Sequence, residues 1–325
     1  FFKLYSDYRA EIMLNGLQLA GQDGPALNVQ SKKKITVTLS GTSTLADAAV
    51  YAVSAEDQKA TFFSEGQLVF RGDGKLNVSS VTRHGICSDD YLKVESGTIS
   101  ITSVAKNGLH CNDDLTIEGG DVNVNLSAAG SKGLKSDLAV RISGGKVSVT
   151  STGGVVLEAS GTGYDPSYCT GIKSGTALEL TGGEVTLLQS GAGSKGLSAG
   201  TDLWIRGGRL DIRSSGTAAK YTNPTGVADA YSSTALTADG NISITGGILT
   251  TTSTGIAGKG ISANGTLTIG GAGNTPEVTV STSGAKLLVS GSNYTSAKAL
   301  KSDGTLQVND GVLKINSSDD GMKSE

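Results

Sequence analysis

A phrase of about 18 residues recurs along this chain, and it limits the fold more than any other feature. Compare HGICSDDYLKVESGTISI from His84, NGLHCNDDLTIEGGDVNV from Asn107, KGLKSDLAVRISGGKVSV from Lys132 and KALKSDGTLQVNDGVLKI from Lys298. An apolar anchor opens each copy: Val29, Phe62, Ile86, Leu109, Leu134, Ile172, Leu197, Leu236, Ile261, Leu300 and Met322. A small residue follows two positions on, such as Ser88, Cys111 or Ala199. Apolar pairs come six and eight positions after the anchor, as in Leu92/Val94 and Leu203/Ile205. A Gly-Gly corner and a third alternating pair, such as Val122/Val124, close the copy. Alternation with period two is a strand signal, so each copy reads as three short strands separated by corners. One copy cannot bury its own apolar face, but stacked copies align these columns into a continuous core. The expected fold is all-β: a right-handed parallel β-helix, a solenoid of about ten coils, as a single domain over 1–325.

Composition agrees. Glycine makes up 47 of 325 residues and suits tight corners, while aromatics reach only 5%, too few for propeller blades. The net charge is −3 and the longest basic run is Lys32-Lys33-Lys34, so nucleic acid is not an expected partner. No apolar run approaches the roughly 18 residues needed to span a membrane, so membrane insertion is not expected either. Cys87, Cys111 and Cys169 lack metal-ligand spacing and read as buried thiols.

The anchor spacing has a second layer. From Leu134 the intervals run 38, 25, 39, 25 and 39 residues, so every second coil carries an extra loop. These three periodic insertions lie at 152–169, 215–233 and 282–297, each leaving after the third strand. Residues 1–28 read as N-terminal capping strands and 41–61 as a further insertion.

Two groups of residues stand out as candidate sites. Asp89 and Asp90 stack near Asn112, Asp113 and Asp114 at one corner, while Asp319, Asp320 and Glu325 gather beside Asp303. Hard oxygen donors converging from adjacent coils suit Ca²⁺, the expected cofactor. At the first corner no lysine is interposed in the sequence; elsewhere Lys132, Lys195, Lys259 and Lys298 precede the anchors and Lys135, Lys173, Lys301 and Lys323 follow them. Those lysines read either as a ladder neutralising stacked aspartates or as a cationic strip for an acidic polymer. The second group is aromatic: Tyr164, Tyr168, Tyr221, Tyr231 and Tyr294 all fall inside the periodic loops, with Asn223, Asp229 and Asn293. A phenol offers an apolar face to sugar C–H groups and a hydroxyl for hydrogen bonding, so these residues are the candidate carbohydrate-binding set. No nucleophile–base constellation or phosphate-binding fingerprint is present, and no catalytic residue is assigned.

The motif S-x-D-D-x-L-x-I-x-G-G is best matched by Ser88-Asp89-Asp90-Tyr91-Leu92 and Cys111-Asn112-Asp113-Asp114-Leu115, with DDGMKSE at Asp319 and GTSTLADA at Gly41 as further phrases. This set resembles a family of bacterial secreted carbohydrate-binding β-helix proteins known for binding polygalacturonate. The resemblance implies a pectate-lyase-like shape, calcium held by Asp on successive coils, and binding rather than catalysis. It also implies an extracellular or cell-surface location and a polysaccharide partner. One departure is plain: the family's Asp-Asp-Gly before the anchor is mostly Lys-Gly here. The expected function is therefore non-catalytic binding of an acidic, pectin-like glycan. The alternatives are a calcium-dependent polysaccharide lyase, using the acidic corner with Arg83 or Lys106 as base, and a cell-surface adhesin or structural rod with a protein partner.

Overall fold

The computed structural model describes residues 1–271 and 273–324, with the backbone alone at 103 and 104. Every named element among them is a β-strand, and no helix is long and apolar enough to cross a membrane. The chain groups into two compact units. One comprises Phe1–Ser127, Ser131–Val149 and Lys173–Val185; the other comprises Ala128–Gly130, Thr150–Ile172 and the residues from Thr186 onward.

In the first unit three stacks of parallel strands rise in step. Phe2–Tyr5, Leu27–Gln30, Ala60–Ser64, His84–Ser88, Leu109–Cys111 and Lys132–Ser136 form one. Ala10–Asn15, Ile35–Ser40, Leu68–Gly72, Leu92–Val94, Leu115–Ile117, Val140–Ile142 and Leu178–Leu180 form the next. Gln18–Ala20, Thr42–Ala46, Lys75–Ser79, Thr98–Val104 and Asp121–Leu126 form the third. In the second unit the anchors Leu197, Leu236, Ile261, Leu300 and Met322 stand in one parallel register. This parallel stacking of successive copies is that of a β-helix-like solenoid. The anchors Ile86, Leu109, Leu134, Leu236, Ile261 and Leu300 are all fully buried, and each such side chain contributes about 1.5–3 kcal/mol relative to exposure.

The Gly-Gly corners follow from backbone crowding. A Cβ on Gly119 would lie 2.4 Å from the Glu95 carbonyl oxygen of the preceding copy, and Gly120 sits at φ 72°, where L side chains are strained. In the second unit the pairs Gly207-Gly208 and Gly246-Gly247 do not break the chain. They bend two continuous strands, Leu203–Ser214 and Ile242–Ser253, whose pairing shifts register beside Arg206.

The structure differs from the sequence reading at the N-terminal side. Leu27, not Val29, opposes Phe62, and Val29 opposes Ser64. A slip of two residues keeps every side chain on its own face, so period-two alternation alone does not reveal it. Residues 42–46 belong to the third stack, with Ser43 and Leu45 buried, so the insertion placed at 41–61 narrows to the segment between Ala46 and Ala60. The capping strands within 1–28 supply a member to each of the three stacks.

Candidate functional site

Each periodic insertion contains one antiparallel hairpin in the second unit: Val156–Ser160 with Gly163–Ser167, Ala219–Thr222 with Ala228–Tyr231, and Leu287–Ser290 with Asn293–Thr295. The first two meet at their tips, where Thr162 N and Oγ1 donate to the Pro224 carbonyl at 3.0 and 3.1 Å. Tyr164 and Tyr294 stand exposed on the outer two hairpins, and Asn293 is exposed beside Tyr294. Tyr221 and Tyr231 pair within the middle hairpin, ring centroids 6.1 Å apart, and Tyr221 donates its hydroxyl to Asp229 Oδ2 at 3.0 Å. Burial and that bond push the Tyr221 phenol above its ordinary range. Asn223 Oδ1 accepts from Thr225 N, Thr225 Oγ1 and Val227 N, so its oxygen ties the hairpin tip and its Nδ2 donors are the part left for a sugar.

Where the hairpins return to the stack, Tyr168 and Tyr231 converge with Lys195, Lys259 and Lys301 on a small polar cavity of ≈ 180 Å³. Thr237, Ser262 and Asn264 add hydroxyl and amide groups to its wall. Lys195 Nζ lies 3.9 Å from the centre of the Tyr168 ring, a close cation–π contact, and burial with nearby Asp229 raises the Tyr168 phenol to about 12. Lys301 is held by Asp303 at 2.5 Å, and Lys298 bonds Ser296 Oγ at 2.8 Å with Asp320 at 3.4 Å. Lys259 has no carboxylate within ion-pair distance among the described residues. Burial, then Lys301 and Lys298, holds its ammonium below the usual lysine range. The lysine column and the loop tyrosines, two separate features of the sequence, are brought together here.

The acidic corner is arranged differently from its sequence reading. Lys59, from the insertion, reaches both Asp89 oxygens at 2.8 and 2.6 Å, and Asn112 Nδ2 donates to Asp89 at 3.4 Å. Arg141 bonds Asp114, whose other oxygen accepts from Ala139 N at 3.1 Å. Asp90 accepts from Gln67 and, at 2.7 Å, from Tyr91 N. Asp113 is left beside Asp90 and Asp114, and desolvation followed by those two charges raises its pKa. The premise that no cation interposes therefore fails at Asp89 and Asp114, because Lys59 and Arg141 come from segments outside the repeated corner. Near Asp303 the pattern repeats: Lys286 pairs with Asp319 at 2.9 Å and Lys298 with Asp320, while Glu325 lies outside the described residues. Ca²⁺ takes about six to eight oxygen ligands. Among the described residues no three acids, histidines or cysteines group to hold a metal, so the side chains as placed do not fit a resident Ca²⁺.

Of the residues proposed for lyase chemistry, Asp89 is bonded by Lys59 on the wall that Arg83 and Lys106 share. Arg83 and Lys106 line one cavity, whereas Asp113 and Asp114 line another with Tyr91 and Lys93. Burial pushes the Cys87 thiol far up and Cys111 to about 12, so both stay protonated.

The second unit thus bears, on its parallel stack, a cavity lined by lysines and tyrosines. The sequence pattern of a family of carbohydrate-binding domain-containing proteins matches residues 4–229 and again 167–325, and this chain belongs to that family. A solved structure described as the polysaccharide lyase-like protein from C. thermocellum, a gadolinium derivative, is similar at 20% identity. The match covers 83% of this chain and 79% of that one, with a TM-score of 0.38. No curated protein matches.

Proposed function

We propose that this chain is a non-catalytic polysaccharide-binding protein acting outside the cell or at its surface on an acidic, pectin-like glycan. Its scaffold is a right-handed β-helix of about ten coils. The observation that supports this reading most is Lys259, a cation without a carboxylate partner among the described residues, lining the groove walled by Tyr168 and Tyr231. An ammonium held below its ordinary pKa by burial and like charges gains from an incoming carboxylate, which restores the charged form. The tyrosine faces supply apolar surface for the sugar ring, and Thr237, Ser262 and Asn264 supply partners for its hydroxyls. At ≈ 180 Å³ the cavity is a subsite for one acidic sugar unit, and the exposed Tyr164 and Tyr294 extend the contact along the hairpins.

The test is affinity gel electrophoresis in polygalacturonate. The wild-type protein is expected to be retarded, and Lys259→Gln to run freely while unfolding no earlier than wild type. Equal retardation of both would remove the groove from the account. No retardation in any acidic glycan, or release of unsaturated products, would remove the function itself.

A further inference from the structure

The first unit holds a separate cavity of ≈ 430 Å³, within the about 300–1,000 Å³ typical of small-molecule sites, which the reading above does not use. Its wall combines Tyr51, Ser54 and Gln58 of the insertion with Arg83, His84 and Lys106 of the stack. We propose that this cavity is a second saccharide site, taking a single carboxylate-bearing sugar whose carboxylate is bound by Arg83 and Lys106.

Charge accounting points to an anion. The two acids on the wall are already engaged, Glu56 by Lys3 at 2.6 Å and Asp57 by Lys59 at 3.0 Å. Lys59 also holds Asp89. Arg83 and Lys106 have no carboxylate partner among the described residues, and the Arg83 Nε is buried without any hydrogen-bond acceptor. Neither cation is thus neutralised from within the described residues, and the guanidinium keeps donor capacity to spare. The two cations rise from joined backbones, because Lys106 N donates to the Arg83 carbonyl at 3.2 Å. The guanidinium lies 5.6 Å from the centre of the Tyr51 ring, whose hydroxyl is tethered to Asp47 at 3.2 Å. A planar guanidinium pre-oriented in this way matches a carboxylate bidentately.

The rest of the wall suits a sugar ring. Gln58 and Ser54 offer donors and acceptors for hydroxyls. His84 Nδ1 accepts from Asn107 N at 3.1 Å, which places the proton on Nε2, and burial keeps the ring neutral. The His84 imidazole is therefore a local reporter for this cavity, remote in sequence from every residue of the other groove.

The experiment is NMR titration of the full chain with D-galacturonate, read at the His84 ring, with D-galactose as the same ring lacking the carboxylate. Galacturonate should shift the His84 resonances saturably and galactose should not. Arg83→Ala should weaken binding about tenfold or more, with Arg83→Lys intermediate. Should Arg83→Ala fail to fold, the exposed Lys106→Ala must show the same direction of loss. No shift, an equal response to galactose, or wild-type affinity in both variants would overturn the proposal. Loss of polymer retention in Lys259→Gln bears on the other unit's groove alone, so the two readings fail separately.

Discussion

Leu236→Ala and Met322→Ala remove side chains from the same anchor column, and the structure assigns them very different costs. Leu236 is 0% exposed, registered between Leu197 on one side and Ile261 on the other. Truncation deletes three carbons and leaves a void that the neighbours cannot close, since both flanking strands are held by ladder hydrogen bonds. Large-to-small changes at such sites cost about 2–5 kcal/mol, and the fixed neighbours place Leu236→Ala in the upper half of that range. Met322 pairs with Leu300 in the same register but is 52% exposed, so Met322→Ala should cost about 1 kcal/mol or less. Urea unfolding followed by circular dichroism measures both, and m should stay unchanged in each variant. Equal costs for the two variants, or a cost below about 1 kcal/mol for Leu236→Ala, would refute the stacked-column account.

Other perturbations test the corners, the acids and the hairpins. Gly144→Ala should destabilise the fold severely, because its Cβ would meet the Glu118 carbonyl oxygen at 2.2 Å; a thermal melt near wild type contradicts this. Asp113 has a raised pKa, from burial first and Asp90 next, so its charged form is penalised in the fold. That penalty is relieved as pH falls through the folded pKa, and Asp90→Asn should bring the value back down in a carboxyl ¹³C titration. Chelation with EDTA should leave the melting temperature unchanged, because Lys59 and Arg141 already neutralise Asp89 and Asp114; a marked drop would place a cation at Asp90 and Asp113 after all. Tyr221→Ala with Tyr294→Ala should weaken glycan retention, and Tyr221→Ala alone should also loosen the middle hairpin by freeing Asp229, seen as faster amide exchange there.

Much of the architecture is legible because a solenoid repeats its own instructions. The anchors from Phe62 to Leu134, and from Leu197 to Met322, fall into register as their spacing requires, and Gly-Gly pairs mark the bends at 119–120, 144–145, 182–183, 207–208 and 246–247. Legibility fails where the pattern is degenerate. Val29 and Leu27 point to the same face, so a two-residue slip costs nothing in the alternation. The acidic corner was misleading for another reason. Its cations come from outside the column, Lys59 from an insertion whose path no local pattern sets, and Arg141 from the strand of the next copy. The groove illustrates the converse. Tyr168, Tyr231 and Lys259 are each conspicuous in the sequence, but their meeting depends on where the hairpins rejoin the stack, which loop length alone does not specify.

The central claim is that a glycan carboxylate completes the cation at Lys259. Gel retention on polygalacturonate, compared with the same polymer after methyl esterification, tests it most directly. The account predicts that esterification abolishes most of the wild-type retention and has no further effect on Lys259→Gln. Equal retention of the wild-type protein on both polymers would contradict it.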